Sequence, residues 1–296
     1  MDLDILIIAV FDRLDEAVKD VLKERPLRRR GPKPTLSDTE VLTMEVVGAY
    51  LGFSEETTLY AYFRQHYAHF FPNLRKVHRT TFTRQMANLW KFKEAVWQYL
   101  LDRETVLQPY VIVDSLPLPV CRFARAYRCQ RFAGEADYGH DWVARQTFYG
   151  FRLHALVGAD GVIRTIYLTP ASADEKDALE DMTEGKVGRV IGDRNFWSPY
   201  RQVHWQERGL RVIAPFKRKS TDPDPKRSFR LSHLRYQIET VFSQLTERFK
   251  VKVLRAKDLW HLLSRLMRSV LSHTLSSILY RSTGENDLKL ARLLSH

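Results

Sequence analysis

The feature that most constrains this chain is a change of pattern near Pro109. Before it, apolar residues recur at helical spacing; after it, short β-branched runs alternate with helical stretches. Leu3, Ile7, Val10, Phe11, Leu14, Val18, Val21 and Leu22 outline one apolar helical face. Pro26 and the run Arg28-Arg29-Arg30-Gly31-Pro32-Lys33-Pro34 break that helix. Ser37 with Glu40 has the spacing of a capping box and predicts a second helix to about Tyr50. Gly52 stops it, and Ser54 is placed to cap a third over residues 55–66. A fourth is expected from Thr80 or Thr81 to Asp102, its polar start lying in residues 79–85 with Arg84. Three short helices and a basic fourth suit a helix-turn-helix-like DNA-binding unit. A plain bundle with a solvated polar face fits as well.

Beyond Pro109, residues 110–113 form a β-branched run that reads as a buried strand ending at Asp114. Residues 148–157 and 162–168 read as a hairpin joined at Asp160-Gly161. A helix over 174–184 follows, then a strand at 189–191 ending in Gly192-Asp193, a helix over 198–208 and a strand at 210–214. Helices over 235–250 and 259–280 close the pattern. Strands alternating with helices after a hairpin imply an α/β domain with a mixed sheet. The last helix reads equally as core or as a dimer surface.

Charge narrows the partner. Lys plus Arg number 47 against 35 Asp plus Glu, a formal charge of +12. An excess of that size favours a polyanion, because Lys and Arg release the counterions condensed on phosphates. A membrane is excluded as partner on other grounds: no run approaches the roughly 20 apolar residues a span needs. Asp2, Asp4 and Asp12 flank the short apolar start, unlike the basic flank of a secretory signal. Two cysteines, Cys121 and Cys129, imply a reducing compartment without a disulfide framework. A cytoplasmic protein acting at the nucleoid is expected.

Asp114 and Asp193 each follow an apolar strand, where catalytic groups of open α/β sheets gather. In the helix after residue 234, Ile238, Val241, Phe242, Leu245 and Phe249 make the apolar stripe, and Arg235, Glu239 and Thr246 run along its edge. Glu239 is thereby placed to lean over a sheet edge toward two aspartates. Clustered carboxylates repel and take up protons unless hard cations neutralise them. Mg²⁺ prefers oxygen ligands, and two such ions about 4 Å apart suit phosphodiester displacement. Taken singly, each residue also has an ordinary reading: Asp after a strand as a loop or cap residue, Glu239 as a helix-surface ion-pair partner.

Five pieces in order over residues 110–250 carry a resemblance: Val111-Ile112-Val113-Asp114-Ser115, Phe148-Tyr149-Gly150-Phe151-Arg152-Leu153-His154, Leu168-Thr169-Pro170-Ala171, Ile191-Gly192-Asp193-Arg194 and Arg235-Tyr236-Gln237-Ile238-Glu239-Thr240-Val241-Phe242. The sequence resembles the DDE transposases of bacterial insertion sequences, whose catalytic core is ribonuclease H-like. The resemblance implies that Asp114, Asp193 and Glu239 form the catalytic triad and bind two Mg²⁺ or Mn²⁺ ions. It also implies cleavage at the element's ends, attack of the freed 3′-hydroxyl on target DNA, and a homodimer bridging two terminal inverted repeats. Ser232 and Thr246 stand where many relatives carry Tyr and Lys, so Arg248 or Lys250 are candidates for the phosphate contact.

The implied organisation is a helical DNA-binding region over 1–105, a ribonuclease H-like domain over 106–254 and a helical extension over 255–296. Lys217, Arg218, Lys219 and Arg227 lie in a segment that Pro223 and Pro225 mark as a flexible loop gripping DNA backbone. Arg29 invites the same reading in the minor groove. His154 shares a strand face with Arg152 and reads either as a support to the metal ligands or as a core histidine. Trp197 reads as a base-stacking residue or, more simply, as packing under the sheet.

Overall fold

The computed structural model describes residues 1–24, 27, 28, 30–218, 222–253, 256–284 and 289–294. Its helices are α1 (Leu3–Glu24), α2 (Asp38–Tyr50), α3 (Glu56–His66), α4 (Arg79–Asn88), α5 (Trp90–Glu104), α6 (Glu175–Met182), α7 (Pro199–Glu207), α8 (Pro225–Glu247) and α9 (Leu259–Ser282). Its strands are β1 (Val111–Pro119), β2 (Asp137–Asp141), β3 (Gln146–Gly158), β4 (Ile163–Pro170), β5 (Gly188–Ile191) and β6 (Leu210–Ile213). Two compact units result, one of residues 1–106 with 244–296 and one of residues 107–243. Among the described residues, no helix is long and apolar enough to cross a membrane.

The first unit is helical. Of the stripe read from its spacing, α1 buries Ile7, Val10, Leu14, Val18 and Val21, leaves Leu3, Phe11 and Leu22 half-buried, and buries Leu6 and Ala17 besides. The capping box at α2 forms: Ser37 Oγ accepts from Glu40 N at 3.1 Å, and Glu40 Oε2 accepts from Ser37 N at 2.7 Å. Ser54 does not cap α3, whose N-terminal position is Glu55 with no side-chain cap. The expected fourth helix is two, because buried Leu89 leaves helical geometry (ψ 5°) and ends α4 just before α5 begins. α9 packs against α2, α4 and α5 and is buried over most of its length, so it is core. Several of its polar residues bond inside: Ser272 Oγ donates to Val46 O at 2.7 Å, and Thr274 Oγ1 accepts from Trp97 Nε1 at 3.0 Å, while Arg268 Nε and Nη1 and His273 Nδ1 are buried without a hydrogen-bond partner.

The second unit is α/β. Its six-stranded mixed sheet runs β2-β3-β1-β5-β6, with β4 pairing on β3. β3 is antiparallel to β1, β2 and β4, while β1, β5 and β6 are mutually parallel. Val113, Leu156, Val190 and Val212 pack with Leu179 and Met182 of α6 and Trp205 of α7 into one core. β1 continues through Asp114 to Pro119 and does not end at the aspartate, because β3 pairs it along its whole length. Gly150 is the point of closest approach: a Cβ there would stand 2.2 Å from Leu118 O. β2 was not legible, since its Asp-Tyr-Gly-His-Asp sequence has no apolar alternation.

One expectation fails for a clear reason. The segment of Lys217 and Arg227, read as a flexible loop, becomes helix from Pro225, ten residues before Arg235. Proline breaks a helix interior but suits its first position, where the missing N–H has no partner to lose. Asp224 completes the start, its Oδ1 accepting from Arg227 N at 2.9 Å.

Candidate active site

The parallel register of β1 and β5 pairs Ile112 with Ile191. Two residues beyond each stand Asp114, inside β1, and Asp193, just past the end of β5, near enough that the Asp193 charge acts on Asp114. Asp193 caps a short 3-10 turn, its Oδ1 accepting from Asn195 N at 2.8 Å. Gly192 lets that turn fold back, since a Cβ would meet the Phe196 ring at 2.7 Å. Asp114 accepts from Ser115 N at Oδ1 and from Arg235 Nη2 at Oδ2, each at 2.8 Å.

Burial pushes the Asp114 carboxyl up to about 6, against the opposing pull of Arg235 and the Ser115 N–H, with the charge of Asp193 adding to the rise. Burial likewise raises Asp193; Arg235 and the Asn195 N–H oppose it, and Glu175 adds to it. Arg235 is therefore the cation that both aspartates feel. Gln237, two residues on, fixes α8 to the end of β3 by donating from Nε2 to Ala159 O at 2.6 Å.

Both aspartates are hard oxygen donors whose mutual repulsion a divalent cation would relieve, so this pair fits such an ion. Glu239, one turn beyond Arg235, is exposed, while its neighbours Ile238 and Val241 are fully buried. Among the described residues, no three His, Cys, Asp or Glu stand close enough to hold a metal ion. The structure thus brings Asp114 and Asp193 together and leaves Glu239 outside such a group.

A carboxylate that sequence reading missed lies nearby. Glu175, the first residue of α6, accepts from Ser115 Oγ at 2.5 Å and from Arg152 Nη1 at 3.3 Å. Arg152 also donates from Nη2 to His140 O at 2.6 Å. In sequence, Asp174-Glu175 reads only as an acidic helix start, and nothing there announces its contact with Ser115.

The remaining candidates separate. His154 pairs with Ser115 across the strands, whereas Asp114 pairs with Ala155, so alternation puts His154 on the other sheet face. It is buried with Nε2 2.9 Å from Thr169 Oγ1, and burial with the nearby Arg152 lowers it to about 4, leaving it neutral. Trp197 packs on Phe216, with ring centroids 4.9 Å apart, and against the core. Lys217 and Arg218 are exposed, and Arg227 lies in the first turn of α8. Arg84 is exposed on α4. Lys219 and Arg29 lie outside the described residues.

The unit is thus an α/β domain whose mixed sheet carries two neighbouring aspartates beside a helix-borne arginine. A family model described as a transposase DDE domain matches residues 105–259, more than half of the chain, and the chain belongs to that family. DDE transposase domains use divalent metal ions. The chain is also 29% identical over 117 residues to a transposase for insertion sequence element IS1106 from Neisseria meningitidis serogroup B. That match covers 37% of this chain and 41% of the relative, so it spans less than half of the relative's length. No solved structure matches.

Proposed function

We propose that this chain is an insertion-sequence transposase that cleaves DNA at the ends of its element and joins them to target DNA. The carrying observation is the nearness of Asp114 and Asp193 to each other and to Arg235 of α8. The antiparallel run β4-β3-β1 continued by parallel β5 and β6 supports a ribonuclease H-like core. The charge of +12 supports a DNA substrate.

In this reading Asp114 and Asp193 offer carboxylate oxygens to Mg²⁺ or Mn²⁺, with Glu239 as the third donor and two ions per site. Bound there, such ions polarise the scissile phosphate and make the attacking oxygen more nucleophilic. Arg235 stands within reach of the same place and is suited to an equatorial phosphate oxygen. Water hydrolyses one strand at the element's end, releasing a 3′-hydroxyl; that hydroxyl then displaces a 3′-oxygen in the target phosphodiester. The helical region over 1–105, with Arg84, Lys217 and Arg218 as further basic contacts, holds the terminal repeats, and a dimer at the nucleoid joins two ends.

The test is incubation of the purified protein with labelled terminal-repeat DNA, a target plasmid and Mg²⁺. Joined products that vanish in Asp114→Asn and Asp193→Asn support the reading. Cleavage without joining marks a nuclease, and joining that survives Asp114→Asn overturns the assignment.

A further inference from the structure

Between β1 and the body of β3 the chain builds an arm that the proposed chemistry does not use. It comprises a 3-10 turn (Phe123–Arg128), β2 and the first residues of β3. Its arginines interleave with aromatics and outnumber its acids, Glu135, Asp137 and Asp141. Arg122, Arg125, Arg128, Arg131 and Arg145 are all exposed. So are Phe123, Tyr127, Tyr138 and Trp142, with Tyr127 at 71% and Trp142 at 77%. Large apolar rings left in water in this number mark a binding surface.

The rings are ordered. Tyr138 and His140 share one face of β2 by alternation and stand about 7 Å apart. Phe123 packs edge-on against Tyr138 at 6.4 Å and Trp142 against His140 at 4.5 Å, giving a file of aromatic faces along the strand. The Arg128 guanidinium lies 4.8 Å from the Tyr127 ring centre. The tip is a fixed turn: Asp141 Oδ1 accepts from Val143 N and Ala144 N, both at 3.0 Å, which holds Trp142 and Val143 outward. The arm is also tied to the candidate site. Arg152 donates to His140 O in β2 and, through Nη1, to Ser115 Oγ, the residue after Asp114.

We infer that this arm is a binding surface for an unpaired DNA strand, its aromatics stacking on bases and its arginines tracking phosphates. A stacked duplex keeps its base faces covered, so exposed rings match a strand whose bases are open. Positive charge matches the anionic backbone, and Arg152 would fix the strand's position relative to Asp114. The inference rests on the DNA substrate proposed above.

Its test is fluorescence anisotropy of the full chain, without metal, on a labelled single-stranded oligonucleotide and on the corresponding duplex. Tyr138→Ala with Trp142→Ala should weaken single-strand binding about tenfold or more while duplex affinity changes less than about twofold. Trp142→Phe, which keeps a ring, should restore most of the loss. Variants are compared only where circular dichroism melting matches the parent. Equal losses on both DNAs, or none, overturn the inference. Loss of self-association without loss of strand binding overturns it too, by assigning the arm to a protein contact. Arm-dependent strand binding in a protein that neither cleaves nor joins DNA would leave the arm standing and remove the transposase reading instead.

Discussion

Arg235 donates from Nη2 to Asp114 Oδ2 at 2.8 Å, placing a helix-borne cation on the carboxylate that the proposed chemistry needs. Without metal, this guanidinium is the counter-charge that lets Asp114 and Asp193 coexist. It also occupies an oxygen that a metal ion would use.

Arg235→Gln should therefore separate metal binding from catalysis. At pH 8, where Asp114 is ionised, the variant should bind Mn²⁺ several-fold more tightly by calorimetry, because no guanidinium competes for Oδ2. Strand cleavage should fall at the same time. Weaker Mn²⁺ binding would show instead that Arg235 orients the carboxylate for metal.

The metal-free protein should carry the signature of Asp114 in its pH–stability curve. Its folded pKa, about 6, exceeds the ordinary value of 3.8, so the folded state holds the proton more tightly than the unfolded chain. Stability from this group is full below about pH 4 and is lost as pH rises through 6. Asp114→Asn should flatten that fall in urea titrations with EDTA present. An unchanged slope would place the carboxyl in an ordinary solvated state.

His154 should act in the opposite sense. Its folded pKa of about 4 lies below the ordinary 6.5, so the unfolded chain binds the proton first. Stability is full above 6.5 and drains as pH falls toward 4. His154→Gln, which keeps a hydrogen-bonding group near Thr169, should remove most of this acid loss. A variant with the parent's acid midpoint would mean that other groups drive acid unfolding.

These two residues also show what sequence could and could not reveal. The neighbourhood of Asp114 and Asp193 was legible because an apolar run leading into an acid is a local pattern and parallel strands in register bring such acids together, although β1 runs on past Asp114. The capping box and the stripe of α1 were legible for the same local reason. His154 could not be assigned to a sheet face until the β1–β3 register was known, since a one-residue slip reverses every side chain. Pro225 misled because its effect depends on helix position, which the sequence around it did not fix. Glu175 was invisible because its contact with Ser115 crosses from a helix start to a strand 60 residues away.

In the helical unit, Lys93 is fully buried with Nζ 2.5 Å from Glu45 Oε1 and 2.9 Å from Ser264 Oγ. Lys93→Met would leave Glu45 buried without its nearest cation, a loss of about 3–5 kcal/mol by denaturant titration. The double variant Lys93→Met with Glu45→Leu should recover part of that loss. A double variant that is less stable than the single would show that the pair contributes net stability beyond mutual neutralisation.

Glu239 and Glu175 compete for the place of third carboxylate, and their surroundings predict different outcomes. Glu239 is exposed on α8 one turn from Arg235, free to turn toward the aspartates when a cation draws carboxylates together. Glu175 is already engaged, accepting from Ser115 Oγ and from Arg152. Turning it toward a metal would leave both donors without that partner, and Arg152 also holds β2 through His140 O. Glu239→Gln should therefore lower cleavage on the order of 1000-fold and weaken Mn²⁺ binding. Glu175→Gln should lower cleavage only about tenfold, with Mn²⁺ affinity nearly unchanged. The reverse ranking in the two assays would move the third ligand from α8 to α6.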